Sequence, residues 1–196
     1  MKACPIGYLT AASILVSFLT ACQPTKDLPW SAARKKTIPP CPTVKFLKDA
    51  DKITVFKTSS GRDITDIVYE AKLTAFTGDC EYIGDDSLYT SVVMTLRVEM
   101  DATRGPAANA RHARLNYFVA IPNFFPWPEG RKSFKREIAF PPNVNSIGFV
   151  DDTIEIKIPL SENRSGAQTK IFIGFELSKD QLKFNRQRRA SIRLGG

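Results

Sequence analysis

The chain has 196 residues, 43% of them hydrophobic and 24% charged, with 13 Pro, 11 Gly and 13 Phe. That length supports one good core and not comfortably two domains, and the near-average composition excludes whole-chain disorder, collagen and coiled coil. Lys and Arg outnumber Asp and Glu by 28 to 20, a net charge of +8, while one His leaves no His-rich metal site and four scattered Cys make no zinc ribbon.

Residues 1–21 have the layout of a targeting segment. Lys2 gives a short positive start, and residues 6–19 carry no charge and include Ile14, Leu15, Val16, Phe18 and Leu19. A membrane-spanning helix needs about 20 predominantly apolar residues. This run is shorter and broken by Thr10, Ser13 and Ser17, so it predicts the core of a cleaved signal peptide. Leu19, Thr20, Ala21 and Cys22 follow, and polar, Pro-rich sequence begins at once. This tetrad resembles the lipobox of bacterial lipoprotein precursors. The resemblance implies cleavage between Ala21 and Cys22, a diacylglycerol on the Cys22 thiol, and an acyl chain such as palmitate on the new amine. Small residues before the cut let the chain lie extended in a protease groove, and a thiol is the best available nucleophile for alkylation. The competing expectation is an ordinary secretory signal with Cys22 incidental. One acyl chain anchors marginally and two or three anchor stably, each buried methylene contributing about 0.8 kcal/mol. Within that family, Gln23 rather than Asp after the cysteine implies the outer membrane.

Residues 22–42 are then a lipidated start and a tether. Pro24, Pro29, Pro39, Pro40 and Pro42 deny backbone donors and favour extended chain, and Arg34, Lys35 and Lys36 sit in the middle. Some twenty flexible residues would span roughly 25 Å. The basic cluster would add about 1 kcal/mol per charge on an anionic surface, or serve only to solvate the linker. Trp30 is placed to meet the membrane interface or the domain.

From Val44 onward the apolar period is two. A strand over residues 52–57 precedes a Ser59-Ser60-Gly61 turn. Ile67, Tyr69, Ala71, Leu73 and Ala75 form one face, as do Val92, Met94, Leu96, Val98 and Met100. Leu115, Tyr117, Val119 and Ile121 share a face. So do Phe134, Ile138 and Phe140, although Arg136 interrupts that row. Ile154, Ile156 and Ile158, then Ile171, Ile173, Phe175 and Leu177, complete the set. Seven strands with one wet face predict an all-β domain over residues 43–185. The expected form is an antiparallel immunoglobulin-like β-sandwich, with a closed barrel as the alternative. Ser178 and Gln181 match a capping box leading into Leu182 and Phe184, which predicts a short C-terminal helix over one end. Residues 186–196 read as a basic tail.

Cys4 leaves with the signal peptide and Cys22 takes lipid, so Cys41 and Cys80 remain with one possible pairing. In an oxidising envelope a disulfide is expected. The rival is a reactive Cys80 working with His112, as in cysteine transpeptidases of the cell wall, whose local motifs are not matched here. The hydrolase elbow, phosphate loop, His-Glu-x-x-His and dinucleotide fingerprint are missing too. Asp85-Asp86 and Asp151-Asp152 lack the spaced ligands that calcium needs and read as turn residues, and His112 reads as a solvated loop residue. No metal and no cofactor beyond the lipid on Cys22 is expected.

Two features stand above this background. Phe124, Phe125 and Trp127 lie in a Pro-stiffened loop, placed either to bind a partner or sugar or to plug one end of the sandwich. Lys183, Arg186, Arg188, Arg189 and Arg193 make a basic C-terminal run suited to phosphate or carboxylate, or simply to solvent. The mature sequence also resembles a group of small uncharacterised proteobacterial envelope lipoproteins. The resemblance rests on Cys41-Pro42, Gly61-Arg62-Asp63-Ile64-Thr65-Asp66, Cys80, Gly174-Phe175-Glu176-Leu177, Asp180-Gln181-Leu182 and Asn185-Arg186. It implies no activity.

The expectation is therefore a non-enzymatic, membrane-anchored envelope lipoprotein, a binding or assembly module that faces the periplasm and has an envelope protein as partner. The alternatives are recognition of an anionic lipid or cell-wall polymer through the Arg run and aromatic loop, and a cysteine-dependent cell-wall enzyme. Nucleic acid is not an expected partner outside the cytoplasm. Removing residues 1–21 leaves 27 basic against 20 acidic side chains, net +7, concentrated at the tether and the C-terminus.

Overall fold

A computed structural model describes residues 38–58, 61–85, 88–161 and 165–194, with side chains to residue 191. The expected signal peptide, Ala21, Cys22, Trp30, the Arg34–Lys36 cluster and the Arg193 side chain lie outside the described residues.

Among the described residues, nine strands and one α-helix follow in order: β1 (Thr43–Phe46), β2 (Lys52–Phe56), β3 (Ile67–Gly84), β4 (Tyr89–Arg104), β5 (His112–Ala120), β6 (Arg131–Ala139), β7 (Ser146–Val150), β8 (Ile154–Pro159), β9 (Lys170–Phe175) and α1 (Lys179–Leu194). One sheet has the order β1-β9-β5-β6. The other runs β2-β3-β4, and β7 and β8 share the far side of β4 end to end. The inward rows of both sheets join in one apolar core that includes Leu73, Leu96, Met100, Leu115, Ile171 and Phe175. The domain is all-β apart from its C-terminal helix.

The count of seven strands is corrected to nine, because β1 and β7 are only four and five residues long. The all-antiparallel expectation is also corrected: β1 pairs in parallel with β9. On β3 the expected face changes halfway. The register with β4 shifts between Leu73 and Ala75, so one extra residue is accommodated there. A one-residue slip in a period-two element reverses the faces. Phe76, opposite Val98, therefore points inward and meets Phe46 edge-on at 5.5 Å, where the uninterrupted pattern expected Ala75.

The capping box closes as expected. Gln181 Oε1 accepts from the Ser178 amide at 2.8 Å, and Ser178 Oγ accepts from the Gln181 amide at 3.2 Å. Phe184 packs on Phe56 with ring centroids 5.0 Å apart. The boundary expected after Asn185 is corrected, because α1 continues to Leu194. No Gly or Pro interrupts Gln187–Leu194, and Arg, Gln, Ala and Leu favour helix.

Cys41 and Cys80 form a disulfide, with Cα atoms 5.8 Å apart. It ties the entering chain to the C-terminal part of β3, and Tyr82 donates its hydroxyl to the Pro40 carbonyl at 2.8 Å close by. Gly105 turns away from β4 so tightly that a Cβ there would lie 2.1 Å from the Ile67 carbonyl oxygen. Among the described residues no helix is long and apolar enough to cross a membrane.

Candidate functional site

Arg136, which breaks the apolar row of β6, sits on the inner face opposite Leu115. A guanidinium there needs a partner. Asp151 supplies it from the break between β7 and β8, its side chain 4% exposed. The Asp151 carboxylate accepts from Arg136 Nε, from the Tyr117 hydroxyl at 2.5 Å and from the Asp152 amide at 2.8 Å. Arg136 also reaches Asp152 Oδ2 at 3.2 Å. Burial, then the bond to Asp151, pushes the Tyr117 hydroxyl far above its ordinary pKa. It therefore stays a neutral donor. Burial lowers the Arg136 pKa, but the Asp151 contact outweighs it and the net shift is upward, so Arg136 stays charged. Asp151 is thus a buried tie between the open edges of the two sheets, not the turn residue expected, whereas Asp152 is exposed. The Arg136 interruption was the sequence signal for this network.

The arginines of α1 also turn back on the domain. Arg189 bridges Asp49 at 3.2 Å and Asp51 at 2.8 Å, Arg188 meets Glu70 at 2.8 Å, and Arg186 lies 3.6 Å from Asp49. Asn185 Nδ2 donates to the Asp49 and Lys52 carbonyls at 2.8 Å each. Asp49 holds a positive φ of 71°, which places its carboxylate toward α1 in a conformation that Asp tolerates. Beside this junction runs an open groove of about 250 Å³, lined by Lys52, Thr54, Glu70, Lys72, Asp101, Thr103 and Arg188. Apart from Arg188, which comes from α1, these residues lie on β2, β3 and β4 on the face that carries Lys52, Lys72 and Asp101, so the groove is wet and mixed in charge.

The aromatic loop lies elsewhere. It is closed at its base by Ile121 N–H to the Gly130 carbonyl (2.8 Å) and inside by Trp127 N–H to the Phe124 carbonyl (2.8 Å). Phe124 packs against the core. Phe125 and Trp127 do not: they are 75% and 69% exposed. The plug and the outward knob are therefore both present, divided among three residues. Glu70, which receives Arg188, is thirteen residues from Ile83 along β3, about 40 Å of strand. β5 and β9 carry the aromatic loop to the Ile83 end, so the Arg cluster and the aromatics are not brought onto one surface.

His112 opens β5 and is exposed. Cys80, its proposed partner, is taken up in the disulfide. Among the described residues no three His, Cys, Asp or Glu side chains are grouped to hold a metal ion. Comparison of the chain with protein-family models, curated proteins and solved structures gives no match.

Proposed function

We propose that this chain is a lipid-anchored lipoprotein of a bacterial envelope, cleaved before Cys22 and acylated on it, whose β domain is a non-enzymatic binding or assembly module facing the periplasm. The observation that carries this is the Leu19-Thr20-Ala21-Cys22 tetrad after a short apolar run. The Cys41–Cys80 bridge supports it, since such bonds persist in oxidising compartments and a thiol enzyme would need that sulfur free. In layering we place the domain with the immunoglobulin-like sandwiches, two sheets over one core, with a β2-β3-β4 meander as its own strand order. The outer membrane is the proposed address, from Gln23.

The test uses intact cells making the full chain. Crosslinking and affinity capture should enrich one reproducible envelope protein. The Cys22→Ser variant should lose membrane attachment. Repeated capture of no protein contradicts the binding-module role, and membrane attachment of Cys22→Ser contradicts the anchor. The alternative, an anionic polymer held jointly by Arg186, Arg188, Arg189 and the Phe124–Trp127 loop, is weakened by the separation of these groups and the ion pairing of the arginines.

A further inference from the structure

Five large apolar side chains stand exposed on segments that the topology gathers at one end of the domain: Ile38, Ile83, Leu88, Phe125 and Trp127. Ile38 precedes β1, whose first residue pairs with Lys170 at the start of β9. Phe125 and Trp127 follow β5, whose last residue pairs with Phe172 of that same strand. Ile83 and Leu88 flank the β3–β4 turn, and nearby Tyr82 bonds Pro40 and lies against Gly166 of the loop leading to β9. This is the end at which the chain enters. Apolar residues exposed singly need no explanation; five at one end, two of them large aromatics on a self-closed loop, mark an interaction surface.

We propose that this end is a second membrane contact, with Phe125 and Trp127 seated in the headgroup region of the bilayer that holds the lipid. This rests on the lipoprotein assignment above. Two considerations select a bilayer over a protein. First, fifteen residues separate Cys22 from Ile38. Whatever their conformation, they reach at most about 55 Å, and as a coil they would span roughly 20 Å. The apolar end is thus the end at which the tether joins the domain, within that reach of the lipid and at an effective concentration at which weak contacts suffice. Second, the chemistry fits an interface. Trp accepts an environment that is apolar on one side and wet on the other and concentrates at bilayer surfaces, and Phe125 adds a purely apolar ring beside it. The loop meets the lipid already shaped, so little ordering is lost on contact. The domain would then stand with its entry end on the membrane and the groove beside α1 away from it.

The experiment reads Trp127 in the full lipidated chain. The chain has two tryptophans, so Trp30→Phe leaves Trp127 as the sole emitter. The protein is reconstituted into phosphatidylethanolamine–phosphatidylglycerol vesicles with and without acyl-chain-brominated phospholipid, and vesicle flotation reports the anchor separately. The expected result is flotation together with a blue-shifted Trp127 emission that bromine quenches, and loss of much of that quenching in Phe125→Ser. Flotation with unquenched emission at the wavelength of a water-exposed indole overturns the inference and leaves the anchor intact. A blue shift without bromine quenching places the Trp127 indole in an apolar site other than the bilayer and also overturns it. Failure to float, with no lipid mass on Cys22, rejects the anchor itself.

Discussion

Replacing Asp151 by Ala removes the acceptor on which Tyr117 and Arg136 converge. Breaking a buried ion pair from one side costs about 3–5 kcal/mol, because the other charge stays buried without its partner. Arg136 is 32% exposed and can partly rehydrate, which places the loss near the lower limit, about 3 kcal/mol. The Tyr117 hydroxyl has no such escape, since the residue is fully buried. In a domain of this size a loss of about 3 kcal/mol lowers Tm by roughly 6–12 °C. Thermal and urea unfolding of the disulfide-intact chain, followed by circular dichroism, measures it. Tyr117→Phe removes one hydrogen bond to a charged acceptor and should cost about 1.5–3 kcal/mol. The triple replacement Tyr117→Phe, Arg136→Leu, Asp151→Val should recover most of the Asp151→Ala loss, because an apolar substitute for a buried ion pair is often neutral. An Asp151→Ala loss below about 1 kcal/mol, or effects of Asp151→Ala and Arg136→Ala that simply add, would refute this reasoning.

Reducing the Cys41–Cys80 bond opens a loop of 39 residues' separation and should lower stability by about 4 kcal/mol, read as a drop in the urea midpoint on adding reductant. Tyr117, Tyr69 and Tyr82 all have raised hydroxyl pKa values, with burial the largest cause in each. The unfolded chain loses these protons near pH 10 while the folded chain keeps them, so their contribution is full below about pH 10 and falls above it. Urea titrations at rising alkaline pH should show that fall, and Tyr117→Phe should make it shallower. Arg189→Ala removes the bridge to Asp49 and Asp51 and should cost about 1 kcal/mol, less in high salt, with faster amide exchange confined to α1.

The elements legible in the sequence are those whose pattern is local and long. Val92 to Met100 alternate without interruption on β4, and the Ser178–Gln181 pair is a complete capping signal. Cysteine arithmetic left one pairing, and that pairing forms. What stayed hidden depends on distant partners. β1 and β7 are too short to show a period and exist through β9 and β4. The register shift near Thr74 is invisible in a strand whose polar and apolar residues alternate plausibly in either register. Asp151 looked like half of an acidic turn because its partners, Tyr117 and Arg136, lie on other strands. The arginines of α1 looked like a tail for the same reason: Asp49, Asp51 and Glu70 are over a hundred residues away in sequence. At the proposed membrane-facing end the Pro-stiffened aromatic loop was legible, but which aromatic turns inward is decided by the core space that Phe124 occupies.

The central claim is the lipid anchor, and the mass of the N-terminal peptide of the mature chain tests it most directly. Protein purified from bacterial membranes in detergent should yield a peptide beginning at Cys22 and carrying diacylglycerol with or without the N-acyl chain, and Cys22→Ser should accumulate uncleaved and unlipidated. A peptide that begins elsewhere, or a Cys22 thiol that is free, would contradict the account.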